Sequence, residues 1–306
     1  MRSSLVVATL VGLAACAGKE EPATTTLAPG PFDGEVAMGY VREQLALGAR
    51  VPGTAEHRAG GDWIVRMMRA RADTVIEQQW EHRTANGTVL PLRNIFARFR
   101  PEATERVLYV THWDSRPRSE SATDTARRRL PVPGANDGAS GTAMLVALGD
   151  LLKATPPRIG VDFLFVDGED YGEFGPPEVD VLLGSRYFAE HLLVPNYQPL
   201  FGVLWDMVGD RDLRIDQESN SLRQAPEVVT LVWETARALG YGKTFVNVEG
   251  LAITDDHIPL LERGLRVIDV IDLEYPWHHT PDDTIDKVSA GSLKIVGDVA
   301  WALLQR

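Results

Sequence analysis

The chain has 306 residues, enough to bury one large core or two small ones. Apolar residues make up 44% and charged residues 24%, the proportions of an ordinary globular protein. A formal net charge of −12 lacks the basic footprint that nucleic-acid binding needs, and suits solubility, metal ions or substrates with a cationic amino terminus.

The chain opens on a targeting segment. Arg2 precedes an apolar run at 5–13 that is too short to span a bilayer. The run closes in Leu13-Ala14-Ala15-Cys16, which resembles the lipobox of bacterial lipoproteins. In that reading residues 1–16 are a lipoprotein-type signal and Cys16 becomes the lipidated first residue. An ordinary secretory peptide cleaved nearby is the alternative. Either way the chain is expected to be exported. With the lipid it is anchored to the bacterial cell envelope, since no later segment is long and apolar enough to cross a membrane. Cys16 is the only cysteine, so no intramolecular disulfide supports the fold. Residues 17–34, rich in Ala, Thr, Pro and Glu, read as a flexible tether. Residues 35–306 read as one domain, without a second linker or an internal repeat.

Within that domain apolar residues at helical spacing predict helices over 35–47 and 56–72. Strands are expected at 94–100 and 107–111, and a buried helix over the small, apolar stretch 138–152. The continuous apolar run 159–166 suits a strand inside a sheet covered on both faces, and 201–207 is another. An amphipathic helix at 226–239, an internal strand at 266–273 and a helix at 290–304 complete the series. Strands alternating with helices predict a single α/β domain with a mostly parallel central sheet flanked by helices. Ligands of such sheets collect at the carboxyl ends of the strands.

Acidic and histidine residues fall at those ends. Strand 107–111 delivers His112-Trp113-Asp114, an imidazole with a carboxylate placed to orient its second nitrogen. A satisfied structural histidine is the alternative there. The glycine-rich turn 133–141 projects Asp137, either as a ligand or as an N-cap. Strand 159–166 runs into Asp167-Gly168-Glu169-Asp170, where neighbouring carboxylates point apart, so that one can hold a metal while the other serves as acid or base. Asp206 sits inside an apolar stretch, a costly place unless the carboxylate is paired or metal-bound. Asp255-Asp256-His257 and the run Trp277-His278-His279 complete the group. His112, Asp137, Asp170, Asp206 and His279 offer only nitrogen and oxygen, donors that suit a catalytic zinc with one open position. They allow one three-ligand site or two sites bridged by a carboxylate.

Five motifs in this order resemble the M28 family of zinc aminopeptidases and its glutaminyl-peptide cyclotransferase branch. They are Gly48-Ala49-Arg50-Val51-Pro52-Gly53-Thr54, His112-x-Asp114, Asn136-Asp137-Gly138-Ala139-Ser140-Gly141, Gly184-Ser185-Arg186 and His279-Thr280-Pro281-Asp282-Asp283. The resemblance covers most of the mature chain and implies a mixed-sheet α/β catalytic domain with a zinc centre at the strand ends. Asp255-Asp256-His257-Ile258-Pro259 and Phe165-Val166-Asp167-Gly168-Glu169-Asp170 bring the chain closer to the cyclase branch, with Asp170 in place of the branch's second glutamate. By that match Glu169 is the acid/base, and Asp137, Asp170 and His279 hold zinc. Asp206 and Asp255 are catalytic carboxylates hydrogen-bonded with Glu169, and Trp277 is a substrate-binding wall. His278 stands where cyclases usually carry tryptophan. The activity so implied is conversion of amino-terminal glutamine to pyroglutamate with release of ammonia, on peptides or proteins with a free amino terminus. The alternative is a di-zinc aminopeptidase, with His112 and Asp206 serving a second Zn2+.

Overall fold

Apolar runs without alternation form the middle of the sheet, because both of their faces are covered. The computed structural model describes residues 27–305; the expected signal, Cys16 and residues 17–26 of the tether lie outside them. The chain begins with helices α1 (Gly34–Leu45) and α2 (Ala55–Arg69), capped by the side chains of Asp33 and Thr54. Strands β1 (Thr74–Arg83), β2 (Val89–Phe99) and β3 (Arg106–His112) follow, then α3 (Ala139–Ala154), β4 (Gly160–Val166) and α4 (Leu183–Glu190). Next come β5 (Phe201–Asp206), β6 (Ile215–Gln217), α5 (Ser219–Gln224), α6 (Pro226–Ala238) and β7 (Phe245–Glu249). The chain closes with α7 (His257–Glu262), β8 (Val267–Ile271) and α8 (Ala290–Leu303).

The main sheet has six strands in the order β1-β2-β4-β3-β5-β8. Strands β4, β3, β5 and β8 run parallel, and β1 and β2 add an antiparallel edge, which makes the sheet mixed. Along β3 to β5, Val107, Tyr109, Phe163, Phe165, Val203 and Trp205 point into one core with residues of α1, α3 and α8. Their neighbours Leu108, Val110, Leu164, Val166 and Leu204 point into a second core with Phe188 of α4 and Leu260 of α7. This is the double cover expected of a parallel sheet. Pairing of His112 with Val166, and of Asp206 with Ile271, brings the carboxyl ends of the four parallel strands to one edge.

Two expectations need correction. Strand β1 was absent from the predicted elements: its sequence, Thr74–Arg83, is mostly polar, as befits an edge that faces water. Residues 27–33, assigned by composition to the tether, pack on the domain. Leu27 N donates to Ala238 O, Phe32 N donates to Asp298, and the buried Phe32 ring lies against Gly297. No helix among the described residues is long and apolar enough to cross a membrane.

Candidate metal centre

The turn that carries Asp137 is held from several sides. Its N-cap position before α3 is Gly138, at φ +89° and with no side-chain cap. Asp137 therefore does not cap the helix, and its carboxylate is free to face the site. Gly134 adopts φ +70°, and a Cβ there would lie 2.7 Å from Arg50 Nη2. The fully buried Arg50 donates to Trp113 O, Pro133 O and Gly134 O at 2.9, 3.2 and 2.7 Å. Asp283 accepts from the backbone N–H groups of Asn136 and Asp137 at 2.9 and 3.2 Å, and Tyr275 Oη donates to it at 2.6 Å.

Two histidines meet at Asp137. His112 Nε2 lies 3.1 Å from Asp137 Oδ1 and 3.1 Å from Asp206 Oδ1. His279 Nε2 lies 3.8 Å from Asp137 Oδ2 and 3.3 Å from Asp170 Oδ1. Asp137 thus turns one oxygen toward each ring. Asp114 lies 3.6 Å from His112 Nδ1, yet its hydrogen bonds go to the backbone N–H groups of Glu169 and Asp170, at 3.1 and 3.2 Å. Glu169 Oε2 is 3.7 Å from His112 Nδ1. The neighbouring Asp167 faces away: it pairs with His57 Nε2 at 2.7 Å and accepts from Arg93 N.

Glu120 and Arg116 were not foreseen. Glu120 Oε1 lies 3.0 Å from His279 Nδ1 and accepts from Arg116 Nε at 2.6 Å, while Arg116 Nη1 donates to Asp170 Oδ1 at 2.7 Å. Glu120 lies in an irregular segment between β3 and α3, where no periodicity marks it. Arg50 belongs to the Gly48–Thr54 motif, so its place in the sequence was marked although its work was not. An outer carboxylate on a ligating imidazole fixes its tautomer and raises its basicity. Replacing Glu120 with alanine is expected to weaken zinc binding about 10- to 100-fold, measured by competition with a chelator. Unchanged affinity would remove Glu120 from this role.

Burial, then the negative charge of Asp170, pushes the Glu169 carboxyl well above the usual range. Burial, then Asp206 and Asp256, does the same for Asp255. Burial alone would lower His279, but Asp170 and Glu120 hold it at about 10. Burial also opposes protonation of His112, and Asp206, Asp114 and Asp137 together raise it well above its ordinary value. A site with this excess of carboxylate fills with protons unless a cation takes their place. Asp137 Oδ2 and Asp170 Oδ2 are buried without a hydrogen-bond partner. Unpartnered carboxylate oxygens beside imidazole nitrogens are the donor set of zinc, so these residues fit that ion.

Among the described residues three donor sets close to within 4.8 Å, and two of them meet at Asp137: His112 with Asp137 and Asp206, and Asp137 with His278 and His279; the third joins Asp255, His257 and Asp269. Asp170, expected as a ligand, touches the centre through His279 but belongs to none of these sets. The expected hydrogen bonds from Asp206 and Asp255 to Glu169 are replaced by others. Asp206 Oδ1 pairs with His112 and accepts from Met207 N at 2.8 Å, and Asp255 Oδ1 accepts from Asp256 N at 2.6 Å. Asp255 acts on Glu169 through its charge.

A cleft of about 580 Å³ opens on the centre. Asp137, Glu169, Asp206, Asp255, His278 and His279 form its polar side, and Phe174, Met207, Ile253, Ile271 and Leu273 its apolar side. Trp277 is not among the lining residues. It is 37% exposed and carries the Lys287 ammonium 4.4 Å from its ring centroid. Trp277 and His278 sit in one tight turn, in which Thr280 N donates to Trp277 O. Neighbours there diverge, and it is His278 that faces the cleft.

A mixed α/β sheet with imidazole and carboxylate donors at the ends of its parallel strands defines an enzyme of the zinc-exopeptidase class. The profile of Peptidase family M28 matches residues 94–304, and the chain belongs to that family. It is 27% identical over 217 residues to aminopeptidase YwaD of Bacillus subtilis, a match covering 64% of this chain and 40% of that protein. The chain thus spans well under two thirds of that relative's length. A glutaminyl cyclase of Bacteroides thetaiotaomicron superposes with a TM-score of 0.87 at 34% identity, over 90% of this chain and 99% of that one. A Zn-dependent exopeptidase of Parabacteroides distasonis superposes with a TM-score of 0.86 at 37% identity, over 91% and 100%. Both activities are thus found among its relatives.

Proposed function

We propose that the protein is a zinc-dependent glutaminyl-peptide cyclotransferase acting on peptides or proteins with amino-terminal glutamine. The observation that carries this reading is the position of the unpartnered oxygens. Asp137 Oδ2, without a hydrogen-bond partner, faces His279, and Asp170 meets the same ring through Oδ1 while its Oδ2 is unpartnered, so these three residues suit one ion. Asp137 and His279 would hold that ion with a third donor, expected at Asp170. When bound, zinc supplies Lewis acidity toward the side-chain amide carbonyl.

The remaining work falls to side chains of the cleft. The apolar side formed by Met207, Ile253, Ile271 and Leu273 suits the methylenes of glutamine. Asp255, with a buried oxygen that has no partner, suits an N–H of the α-amine, whose neutral form is the nucleophile. Glu169 takes the proton as the amine nitrogen bonds to the amide carbon, and returns it as the bond to the departing ammonia breaks. The raised affinity of Glu169 for protons fits both halves of that exchange. In the cell, Cys16 would tether the exported enzyme to the envelope.

Incubation of the purified protein with a Gln-initiated and a Leu-initiated peptide, followed by mass spectrometry, tests the reading. Loss of one ammonia from the first, with the second intact, is expected. Release of free leucine without ammonia loss would instead support a di-zinc aminopeptidase. That second reading draws on Asp137, which turns one oxygen to each histidine, and requires two ions per chain.

A further inference from the structure

We propose that a cavity beside the cleft seats the third residue of the substrate peptide and selects a large apolar side chain there. The inference rests on the reading that a peptide amino terminus reacts at the centre, and it holds for either reaction.

A peptide whose first residue is fixed at the centre must leave the cleft somewhere. The cleft of about 580 Å³ falls within the roughly 300–1,000 Å³ that encloses a small organic molecule. It takes the reacting residue and its neighbour, and the third residue is the first to need further room. A cavity of about 800 Å³ adjoins the cleft, and Phe174 and Thr254 belong to the walls of both.

That cavity is built onto the turn that carries Glu169. Leu182 N donates to Glu169 O at 2.9 Å and Leu183 N donates to Gly168 O at 3.1 Å, which fixes the floor at Val181 and Leu183. The wall is the loop 174–178, closed at its base by hydrogen bonds of 2.8 and 3.1 Å between the backbones of Glu173 and Val179. Arg118 Nη2 holds the base by donating to Gly172 O at 3.1 Å. The seat is therefore formed before a substrate arrives.

Its chemistry is apolar. Phe174, Pro176, Pro177, Val181 and Leu183 line it, and the two prolines have no N–H with which to hold a peptide backbone. The charges of the lining are already engaged. Glu178 pairs with Arg186, while Asp180 meets His82 Nε2 at 2.8 Å and accepts from Ala85 N at 2.9 Å. The cleft also shares Ile271 and Leu273 with a smaller cavity of about 390 Å³, where Asp216, Glu218, Glu249 and Glu274 face a single Arg214. A chain leaving by that route would be selected for a cationic side chain instead.

The zinc-loaded protein and amidated tetrapeptides Gln-Ala-X-Ser, with X as Phe, Leu, Ser or Lys, test the proposal through kcat/KM for ammonia release. Phe and Leu should exceed Ser by about 10- to 100-fold, the worth of burying one such side chain, and Lys should do no better than Ser. Pro176→Asp, at an exposed position of the wall, should bring the Phe-to-Ser ratio toward one, whereas Pro176→Ala should keep most of it. Equal rates for Phe and Ser, a preference for Lys, or an unchanged ratio in Pro176→Asp would each overturn the proposal. Absence of ammonia loss from every peptide would overturn the cyclase reading alone, because release of the amino-terminal residue across the same peptides still compares Phe with Ser. Inertness toward all of them would overturn both.

Discussion

Replacing Glu169 with glutamine is expected to lower turnover by about 10²–10⁴-fold while the protein keeps its zinc and its fold. The substitution preserves shape and removes the ability to accept a proton. Glu169 is 7% exposed, its backbone is held by Asp114, and its carboxyl faces the cleft beside His112. Burial, then the charge of Asp170, favours its neutral form. In the proposed reaction the proton it takes would therefore be well held until the leaving group needs it. The same shift fixes the sign of the pH dependence: as pH falls through the raised pKa, the base is consumed and kcat/KM drops. The variant should lose that acid limb together with most of its rate. Steady-state kinetics with a Gln-peptide, alongside metal analysis, checks this. A Glu169→Gln enzyme with wild-type kcat and an unchanged pH profile would assign the proton transfer elsewhere.

Arg50→Met is expected to destabilise the protein by about 3 kcal/mol or more, at roughly 1–3 kcal/mol for each buried acceptor left unpaired. Three carbonyl oxygens, of Trp113, Pro133 and Gly134, lose their donor together. Methionine matches the length of the stem and has no N–H to offer. Burial lowers the Arg50 pKa to about 10, and the nearby charges of Asp283, Asp114 and Asp137 work against that fall, so the cation is also part of the site's charge balance. A domain of this size melts about 2–4 °C lower for each kcal/mol lost. Thermal unfolding should therefore show a drop of roughly 6–12 °C, accompanied by weaker zinc binding as the Asp137 turn loosens. A melting temperature within a degree of the wild type would mean that water replaces the guanidinium at little cost.

Both effects bear on how much of the site was legible in the chain. The exits of β3, β4 and β5 were readable because each strand is largely apolar and ends at a charged or imidazole side chain, although β4 carries within it Asp162, paired with Arg98 and Arg106. Asp206 stood out because an aspartate in such a run needs a partner, and His112 is that partner. What escaped lies where no period operates. Glu120 and Arg116 sit in an irregular segment, and their meeting with His279 and Asp170 depends on how that segment folds back. The choice between Trp277 and His278 rests on how one tight turn, closed by Thr280 N donating to Trp277 O, directs neighbouring side chains, which residue types alone do not signal. Strand β1 was hidden for a third reason: its inward positions include Gln78, whose amide reaches His191 O and Asn94, so its buried side is not written in apolar residues.

The centre draws on groups far apart in the chain. His112 and Asp206 are separated by 94 positions, and Glu120 and His279 by 159. They become neighbours only once β4, β3, β5 and β8 have all paired in register. A partly assembled sheet holds scattered donors and no chelate. Occupancy by the ion is therefore a gauge of the whole architecture. At a free concentration a hundred times its dissociation constant, the ion would deepen the native basin by about 2.7 kcal/mol, all of it at the expense of incomplete forms. A lesion far from the cleft, at the β1 edge or where Phe32 meets α8, would register first as metal escaping from a site that it never touches.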